Sequence, residues 1–160
     1  MTKRIFLDTN VVIDYLSKRM PFAEEAMIIF SLPPQRIQLC ISALSFTTIF
    51  YVLKKHFDRK RLLEMLNGIQ ALMEVLPSDE HTISQAIQSD FSDFEDAVQY
   101  HTALSGNIDA IITRNPKDYI NSAIPVYTPS EFIQVPYWAE DTNKTMLNEP
   151  DLNQLRTRKS

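Results

Sequence analysis

Short apolar runs alternate with longer segments of helical character along most of this chain, and this alternation constrains the fold more than any other feature. The candidate strands are residues 5–7, 38–41, 74–76, 110–113 and 126–127. The segments between them have apolar side chains at helical spacing and begin near capping residues or prolines. Alternating strands and helices form right-handed crossovers between parallel strands. The sequence therefore predicts an α/β fold, a three-layer α/β/α sandwich around a mostly parallel sheet of about five strands.

The chain of 160 residues is long enough for one domain with a proper hydrophobic core. All of the predicted strands and helices lie within residues 1–135, whereas residues 140–160 are polar with only scattered apolar side chains. Such a segment buries too little apolar surface to offset the entropy lost on ordering. We therefore predict a folded domain over residues 1–135 and a flexible polar tail over residues 136–160.

Composition excludes several classes of protein. The chain has two glycines, Gly68 and Gly106, which cannot form a Gly-rich phosphate loop or a dinucleotide fingerprint. Its single cysteine, Cys40, excludes an intrachain disulfide and a thiolate zinc site, and its apolar neighbours predict a buried structural thiol. No apolar stretch approaches membrane-spanning length and no cleavable leader is recognisable, so we expect a cytoplasmic protein without membrane association.

Acidic residues occur where a parallel sheet would bring them to one edge. Asp8 directly follows the first predicted strand, Asp118 follows the fourth, and Asp93 and Asp96 open the helix that leads into the fourth. Ligands of open α/β sheets bind beyond the carboxyl ends of the strands, so one crevice there is expected to hold all four carboxylates. Clustered carboxylates without cysteine or histidine suit Mg²⁺ or Mn²⁺, which would neutralise their repulsion. Such an ion activates water and stabilises charge on a phosphodiester.

Each acid also has a simpler explanation when it is considered alone. Asp8 can cap the first helix, and Asp118 can be an ordinary turn residue. Asp93, Glu95 and Asp96 can complement the dipole of the helix that they open. The shared position at one sheet edge favours a metal site, but the spacing alone leaves both explanations open.

Four segments carry a family resemblance, and they occur in the family's order within residues 3–133. They are residues 7–14 (LDTNVVID), 41–44 (ISAL), 93–99 (DFEDAVQ) and 112–119 (ITRNPKDY). They resemble the PIN-domain family, and most closely PIN proteins of the VapC-toxin type. The resemblance implies a metal-dependent endoribonuclease that uses Mg²⁺ or Mn²⁺ to hydrolyse RNA. It also implies the toxin half of a toxin–antitoxin pair, with a protein antitoxin as partner.

The resemblance implies roles for individual residues. Asp8, Asp96 and Asp93 would be the catalytic, metal-binding acids, and Asp118 would assist them. Asn10 would orient the first acid, and Thr113 and Asn115 occupy the family's Thr-x-Asp position after strand four. Arg114 and Lys117 flank this site and are candidates for contact with RNA phosphates.

Two positions depart from the family's pattern. Thr48 stands where the helix after strand two usually carries a glutamate, and Asn115 is neutral where an aspartate is common. These two lost charges motivate a second hypothesis, a catalytically weakened PIN-like module that binds RNA or protein without cutting. Binding of a divalent metal would separate the two hypotheses.

A phosphoryl-accepting signalling domain or phosphotransferase is a third class with a similar sheet. The sequence disfavours it, because Asp8 has no acidic neighbour and Asn10 replaces the second acid of an Asp-x-Asp phosphatase pattern.

The net charge of −4 and the pI of about 5.3 are less basic than is usual for a nucleic-acid binder. An acidic protein can still bind RNA, however, because only the surface that contacts the RNA needs a positive potential.

The apolar stretch at residues 27–30 suggests a homodimer face or a groove for a partner.

Overall fold

The computed structural model describes residues 1–135 of the chain, so the predicted tail at residues 136–160 lies outside the described residues. The strands are β1 Lys3–Leu7, β2 Ile37–Ser42, β3 Glu74–Leu76, β4 Ala110–Ile112 and β5 Val126–Tyr127. The helices are α1 Thr9–Ser17, α2 Phe22–Phe30, α3 Ser45–Leu53, α4 Arg59–Leu72, α5 Glu80–Gln88, α6 Phe94–Ser105 and α7 Pro129–Ile133. A short 3₁₀ helix covers Pro116–Tyr119.

The five strands form one parallel sheet in the order β3-β2-β1-β4-β5, which confirms the predicted fold class. β1 lies at the centre, with β2 on one side and β4 on the other. The direction in which strands are added to the sheet therefore reverses beside β1. In open α/β sheets the binding crevice forms at such a point, outside the carboxyl ends of the strands.

Side chains of the central strand alternate between two hydrophobic clusters, one on each face of the sheet. Ile5 and Leu7 pack with residues of α1, α2, α3, α4 and α7, whereas Phe6 packs with residues of α6 on the opposite face. Cys40 belongs to the second cluster and is fully buried, and burial raises the pKa of its thiol to about 12. The predicted buried cysteine is therefore confirmed.

Polar residues define the starts of most helices, as the sequence predicts. Asp58, Asp79 and Asp93 each cap a helix through a side-chain oxygen that accepts a backbone N–H of the first turn. Thr128 and Glu131 form a reciprocal capping box at the start of α7.

The sequence predicts that Ser42 caps α3, that this helix runs to about His56 and that Gly106 is a left-handed cap of α6, and the structure differs on all three points. Ser42 does not cap α3 but is the last residue of β2, where its hydroxyl accepts a hydrogen bond from the Leu44 N–H at 3.2 Å. This turn delays the helix to Ser45, and α3 ends at Leu53 rather than near residue 56. Gly106 is not in the left-handed conformation, with φ −86°, and Asn107 adopts it instead at φ 51°.

The core face of α4 is narrower than the sequence predicts, since the apolar pattern places Leu62, Leu63, Leu66, Ile69 and Leu72 toward the core. Leu62 and Ile69 are buried, but Leu63 and Leu72 are 42% and 54% exposed. Those two leucines therefore lie on the outer side of the helix. Within residues 1–135, no helix is both long and apolar enough to cross a membrane.

The last described helix belongs to the core, because Phe132 of α7 has no exposed surface and α7 packs against α2. We predict that Phe132→Ala lowers the free energy of unfolding by about 3–5 kcal/mol, the usual cost of such a cavity. Urea unfolding measures this loss. Ile120→Ala, at a side chain that is 73% exposed, is the control and should change stability by less than about 0.5 kcal/mol. Equal midpoints for both variants would contradict the assignment of α7 to the folded domain.

Candidate active site

A cavity of about 380 Å³ opens at the carboxyl ends of β1 and β4, where the sheet topology places the binding crevice. Its wall carries five carboxylates, those of Asp8, Asp93, Glu95, Asp96 and Asp118. Its remaining polar and charged lining is Asn10, Arg19, Thr48, Gln99, Arg114 and Asn115. The structure thus brings together the four acids that the sequence singled out, and adds Glu95.

Asp8 is the most enclosed of these acids, with 3% of its surface exposed. Its Oδ2 accepts a hydrogen bond of 2.7 Å from the Thr113 hydroxyl at the end of β4. Its Oδ1 accepts hydrogen bonds from the Gln99 side-chain amide at 3.3 Å and from the Asn10 backbone N–H at 3.2 Å. Asp8 therefore caps α1 and also faces the cavity, so the capping role and a role in the site are compatible for this residue. Its orientation is fixed by β4, α6 and α1.

Gln99 was not assigned a role from sequence. Its Oε1 accepts the Thr9 backbone N–H at 3.0 Å, which leaves its amide N–H to donate to Asp8. Gln99 lies one helical turn after Asp96, on the same face of α6. This spacing is the one sequence signal that marks Gln99 as a neighbour of the site.

Asp93 and Asp96 lie at the start of α6, and both line the cavity as their spacing predicted. Asp93 caps the helix, since its Oδ1 accepts the Asp96 N–H at 3.0 Å. Burial, and after it the charges of neighbouring carboxylates, first that of Asp8, together raise the pKa of the Asp96 carboxyl to about 7. The cavity lining carries five carboxylates and two arginines.

Glu95 enters the same cavity from the first turn of α6. Desolvation raises the pKa of its carboxyl, as do the charges of Asp8 and Asp93, whereas the nearby hydroxyls of Thr9 and Thr48 lower it. The residue as a whole remains exposed.

The neutral positions of the site also have defined places. The Thr113 hydroxyl donates to Asp8 and accepts the Asn115 N–H at 3.1 Å, so it connects the loop after β4 to the first acid. Asn10 lines the cavity, and its backbone N–H donates the hydrogen bond to Asp8. Thr48 of α3 faces the cavity where the family resemblance places an acid.

Two arginines form the basic side of the cavity. Arg114 pairs through Nε with Asp14 Oδ2 at 2.8 Å and lies over the ring of Phe22, 4.3 Å from its centroid. Arg19 lies over the same ring at 5.8 Å. Asp14 is 1% exposed, and burial raises the pKa of its carboxyl while Arg114 and Arg19 lower it. The Arg114 guanidinium is therefore held in place beside the acids.

Lys117, the other predicted RNA contact, does not line the acidic cavity. It lines a second cavity of about 460 Å³ that also contains Phe91 and His101. Asp118 lines both cavities and so connects them.

The acidic cavity suits a divalent metal that is held by few protein ligands. Within residues 1–135, no three side chains of His, Cys, Asp or Glu converge on one metal position. Mg²⁺ does not require three, because it usually keeps several waters and binds through one or two carboxylates. Asp8 and Asp96 face one cavity, offer only oxygen atoms and lie among three further carboxylates. This chemistry fits Mg²⁺ or Mn²⁺.

Comparison with known proteins agrees with this geometry. The sequence model of the PIN domain matches residues 4–117, more than half of the chain. Ribonuclease VapC1 of Aquifex aeolicus (strain VF5) is 27% identical over 139 residues, which cover 83% of this chain and 95% of the relative.

Solved structures of toxin–antitoxin proteins have the same fold. The DNA-bound VapBC of Salmonella typhimurium aligns with a TM-score of 0.63 and 23% identity, over 81% of this chain and 99% of the other. A toxin–antitoxin complex from Klebsiella pneumoniae aligns with a TM-score of 0.58 and 25% identity, over 78% and 97%. The sheet order, the acidic cavity and the family match lead to one conclusion: this chain belongs to the PIN-domain family and is similar to the VapC toxins.

Proposed function

We propose that this chain is an endoribonuclease that uses Mg²⁺ or Mn²⁺, and that it is the toxin of a toxin–antitoxin pair. The observation that carries the proposal is the pairing of Asp8 and Asp96 in one cavity, where burial and repulsion raise the pKa of Asp96 to about 7. A fold that keeps such a cluster gains from a cation that neutralises it. The similarity to a ribonuclease supplies the reaction.

In this proposal Asp8 and Asp96 hold the metal, and Asp93 and Asp118 add negative charge around it. When bound, the ion would lower the pKa of a water and stabilise charge on the phosphodiester. Thr113 and Gln99 keep both oxygens of Asp8 oriented through their hydrogen bonds.

Arg114 is the candidate for contact with the RNA phosphate at the acidic cavity. Its pairing with Asp14 and its position over Phe22 hold the guanidinium in one place, which lowers the entropy cost of binding an anion. Lys117 would contact another part of the RNA in the second cavity, which shares Asp118 with the acidic cavity.

Two further partners belong to the proposal. The structures of toxin–antitoxin complexes support a protein antitoxin. Met27 and Ile28 on α2 are exposed, which supports the homodimer or partner face suggested by the apolar stretch at residues 27–30.

The second candidate function is a PIN-like module that binds RNA or protein without cutting. It is favoured by the neutral side chains of Thr48 and Asn115, both of which line the acidic cavity. The two functions differ in their need for metal and in the fate of the RNA.

The first prediction from this proposed function concerns RNA cleavage. Purified protein should cut a panel of single-stranded and structured RNAs with Mg²⁺ or Mn²⁺ and not with EDTA. The double variant Asp8→Asn/Asp96→Asn should lose more than about 100-fold in rate, because even residues that only orient metal ligands cost roughly 10–100-fold. Asp58→Asn, a capping acid outside the cavity, should cut at the wild-type rate. Wild-type protein that binds no metal and cuts no RNA would favour the binding module.

The second prediction concerns Arg114. Arg114→Gln should leave Asp14 buried without its partner and lower stability by up to about 3 kcal/mol, whereas Asp14→Asn/Arg114→Gln should recover most of this loss. Both variants should bind a short RNA roughly tenfold more weakly in EDTA, since a charge-assisted contact is lost, and should keep wild-type affinity for Mn²⁺. Fluorescence anisotropy and calorimetry measure the two affinities. Wild-type RNA affinity in the double variant would contradict the phosphate contact.

The third prediction concerns pH. Because the pKa of Asp96 rises from 3.8 to about 7 on folding, the folded metal-free chain binds more protons than the unfolded chain between those values. This residue therefore destabilises the fold increasingly as pH rises from about 4 to 7. In EDTA, Asp96→Asn should melt at a higher temperature than wild type at pH 8, and this difference should shrink at pH 4.5. Thermal melts with equal differences at both pH values would contradict the raised pKa.

A further inference from the structure

The second cavity, of about 460 Å³, has aromatic rings in its wall that the proposed function does not use. Phe91 lines it from the loop between α5 and α6, and Tyr100 and His101 line it from α6. Lys117 and Asp118 line it from the 3₁₀ helix. A cavity of this volume with aromatic rings in its wall is typical of a binding site for a small organic group.

The aromatic wall, which consists of Phe91, Tyr100 and His101, is held by contacts within the protein. The ring centroid of Phe91 lies 5.2 Å from that of Tyr100 and 5.8 Å from that of the buried Tyr119. The Tyr100 hydroxyl accepts the Ala123 backbone N–H at 3.0 Å, which connects α6 to the loop before β5. The wall is therefore in place before a ligand binds, and this lowers the entropy cost of binding.

His101 is a neutral part of this wall. Its ring centroid lies 5.2 Å from that of Tyr100 and 6.4 Å from that of Phe91. Its buried Nε2 has no hydrogen-bond partner within residues 1–135, so packing rather than this nitrogen holds the ring. Burial lowers the pKa of the imidazole, which is therefore neutral at pH 7. A neutral imidazole does not attract a phosphate, whereas it can pack on a planar base.

The charges around the second cavity also disfavour an anion as its ligand. Asp90 and Asp118 line it together with Lys117, so a phosphate inside would meet two carboxylates and one ammonium group. The neutral polar lining includes Ser92 and Asn121, whose hydroxyl and amide groups can hydrogen-bond to the edge of a base. The lining therefore favours an uncharged planar group over a phosphate.

The position of the second cavity connects such a ligand to RNA. Asp118 lines both cavities, so the second cavity adjoins the acidic one. The base and the phosphate of a nucleotide are joined through one sugar, and two adjoining cavities suit these two parts of one strand. Proteins commonly stack the unpaired bases of RNA on Phe, Tyr or His rings.

We propose that the second cavity binds one unpaired nucleobase of the RNA by packing it on the aromatic wall, next to the phosphate at the acidic cavity. The inference rests on the proposed function and narrows its substrate to RNA that is single-stranded at the cleavage site. The exposed Lys117 would contact the sugar–phosphate backbone beside that base.

The test measures RNA binding in EDTA by fluorescence anisotropy, so it does not depend on cleavage. The probes are labelled single-stranded RNA tetramers of each of the four bases, and an abasic tetramer with the same sugar–phosphate backbone. The wild type should bind its preferred tetramer about 5- to 100-fold more tightly than the abasic one, the usual effect of a base stacked on an aromatic ring.

Two variants place this preference at the aromatic wall. Phe91→Leu removes a ring but keeps an apolar side chain, and should bind the preferred tetramer at least about fivefold more weakly while its affinity for the abasic tetramer is unchanged. His101→Leu should do the same, which keeps the proposal testable if Phe91→Leu folds poorly. Phe30→Leu is the matched control, because Phe30 is also a partly buried ring but lines neither cavity, and its affinities should equal those of wild type.

The outcomes separate the base site from the proposed function. Wild-type affinity for the preferred tetramer in both Phe91→Leu and His101→Leu would overturn the base site and leave the function intact, since metal-dependent cleavage is its own test. Equal weakening of the preferred and abasic tetramers in these variants would mean that the cavity contacts only the backbone, and would also overturn the base site. A wild type that binds no tetramer in EDTA would overturn it too, because stacking needs no metal. A chain that behaves as expected here but cuts no RNA would lose the proposed function alone.

Discussion

The buried carboxylate of Asp8 is the constraint on which the rest of the site depends. A carboxylate that is 3% exposed is costly unless donors replace the water it loses. The donors come from three places in the chain: the hydroxyl of Thr113, the amide of Gln99 and the backbone of Asn10. These contacts fix β4, α6 and α1 relative to β1. The parallel register of β1 with β4 brings the two strand ends together, so that the hydroxyl reaches the acid.

Charge is distributed unevenly around this carboxylate. The net charge of −4 describes the whole chain, whereas the cavity combines five carboxylates with Arg19 and Arg114. Asp14 pairs with Arg114 and so reduces the positive charge available to balance the acids. Without a cation, these acids would weaken the binding of an anionic RNA at the cavity. The acidic composition is therefore consistent with the proposed function, in which a metal is part of the site.

The sequence predicted the sheet and the cavity shared by Asp8, Asp93, Asp96 and Asp118, because both depend on local signals. Short apolar runs end at Asp8 and before Asn115, and parallel topology brings these ends to one edge. The predicted helix boundaries were less accurate at Ser42 and Gly106, because each boundary depends on the conformation of a single turn. Gln99, Asp14 and the cavity position of Glu95 could not be assigned, because each depends on the distance between elements that are far apart in sequence. No local pattern encodes those distances, although the spacing of Asp96 and Gln99 on one helix face contained part of the information.

The spread of the carboxylates around the cavity bears on how the proposed metal would be held. Within residues 1–135 the acids do not converge on one point, as they would around a fully enclosed Ca²⁺. Asp8 lies at the start of α1 and Glu95 in the first turn of α6, whereas Asp118 lies in the 3₁₀ helix. Asp8 and Asp96 would hold a hydrated Mg²⁺, and the other carboxylates would accept hydrogen bonds from its waters. The ion would supply an activated water and charge stabilisation for phosphodiester hydrolysis. A dispersed ring of acids therefore suits catalysis better than a closed cage would.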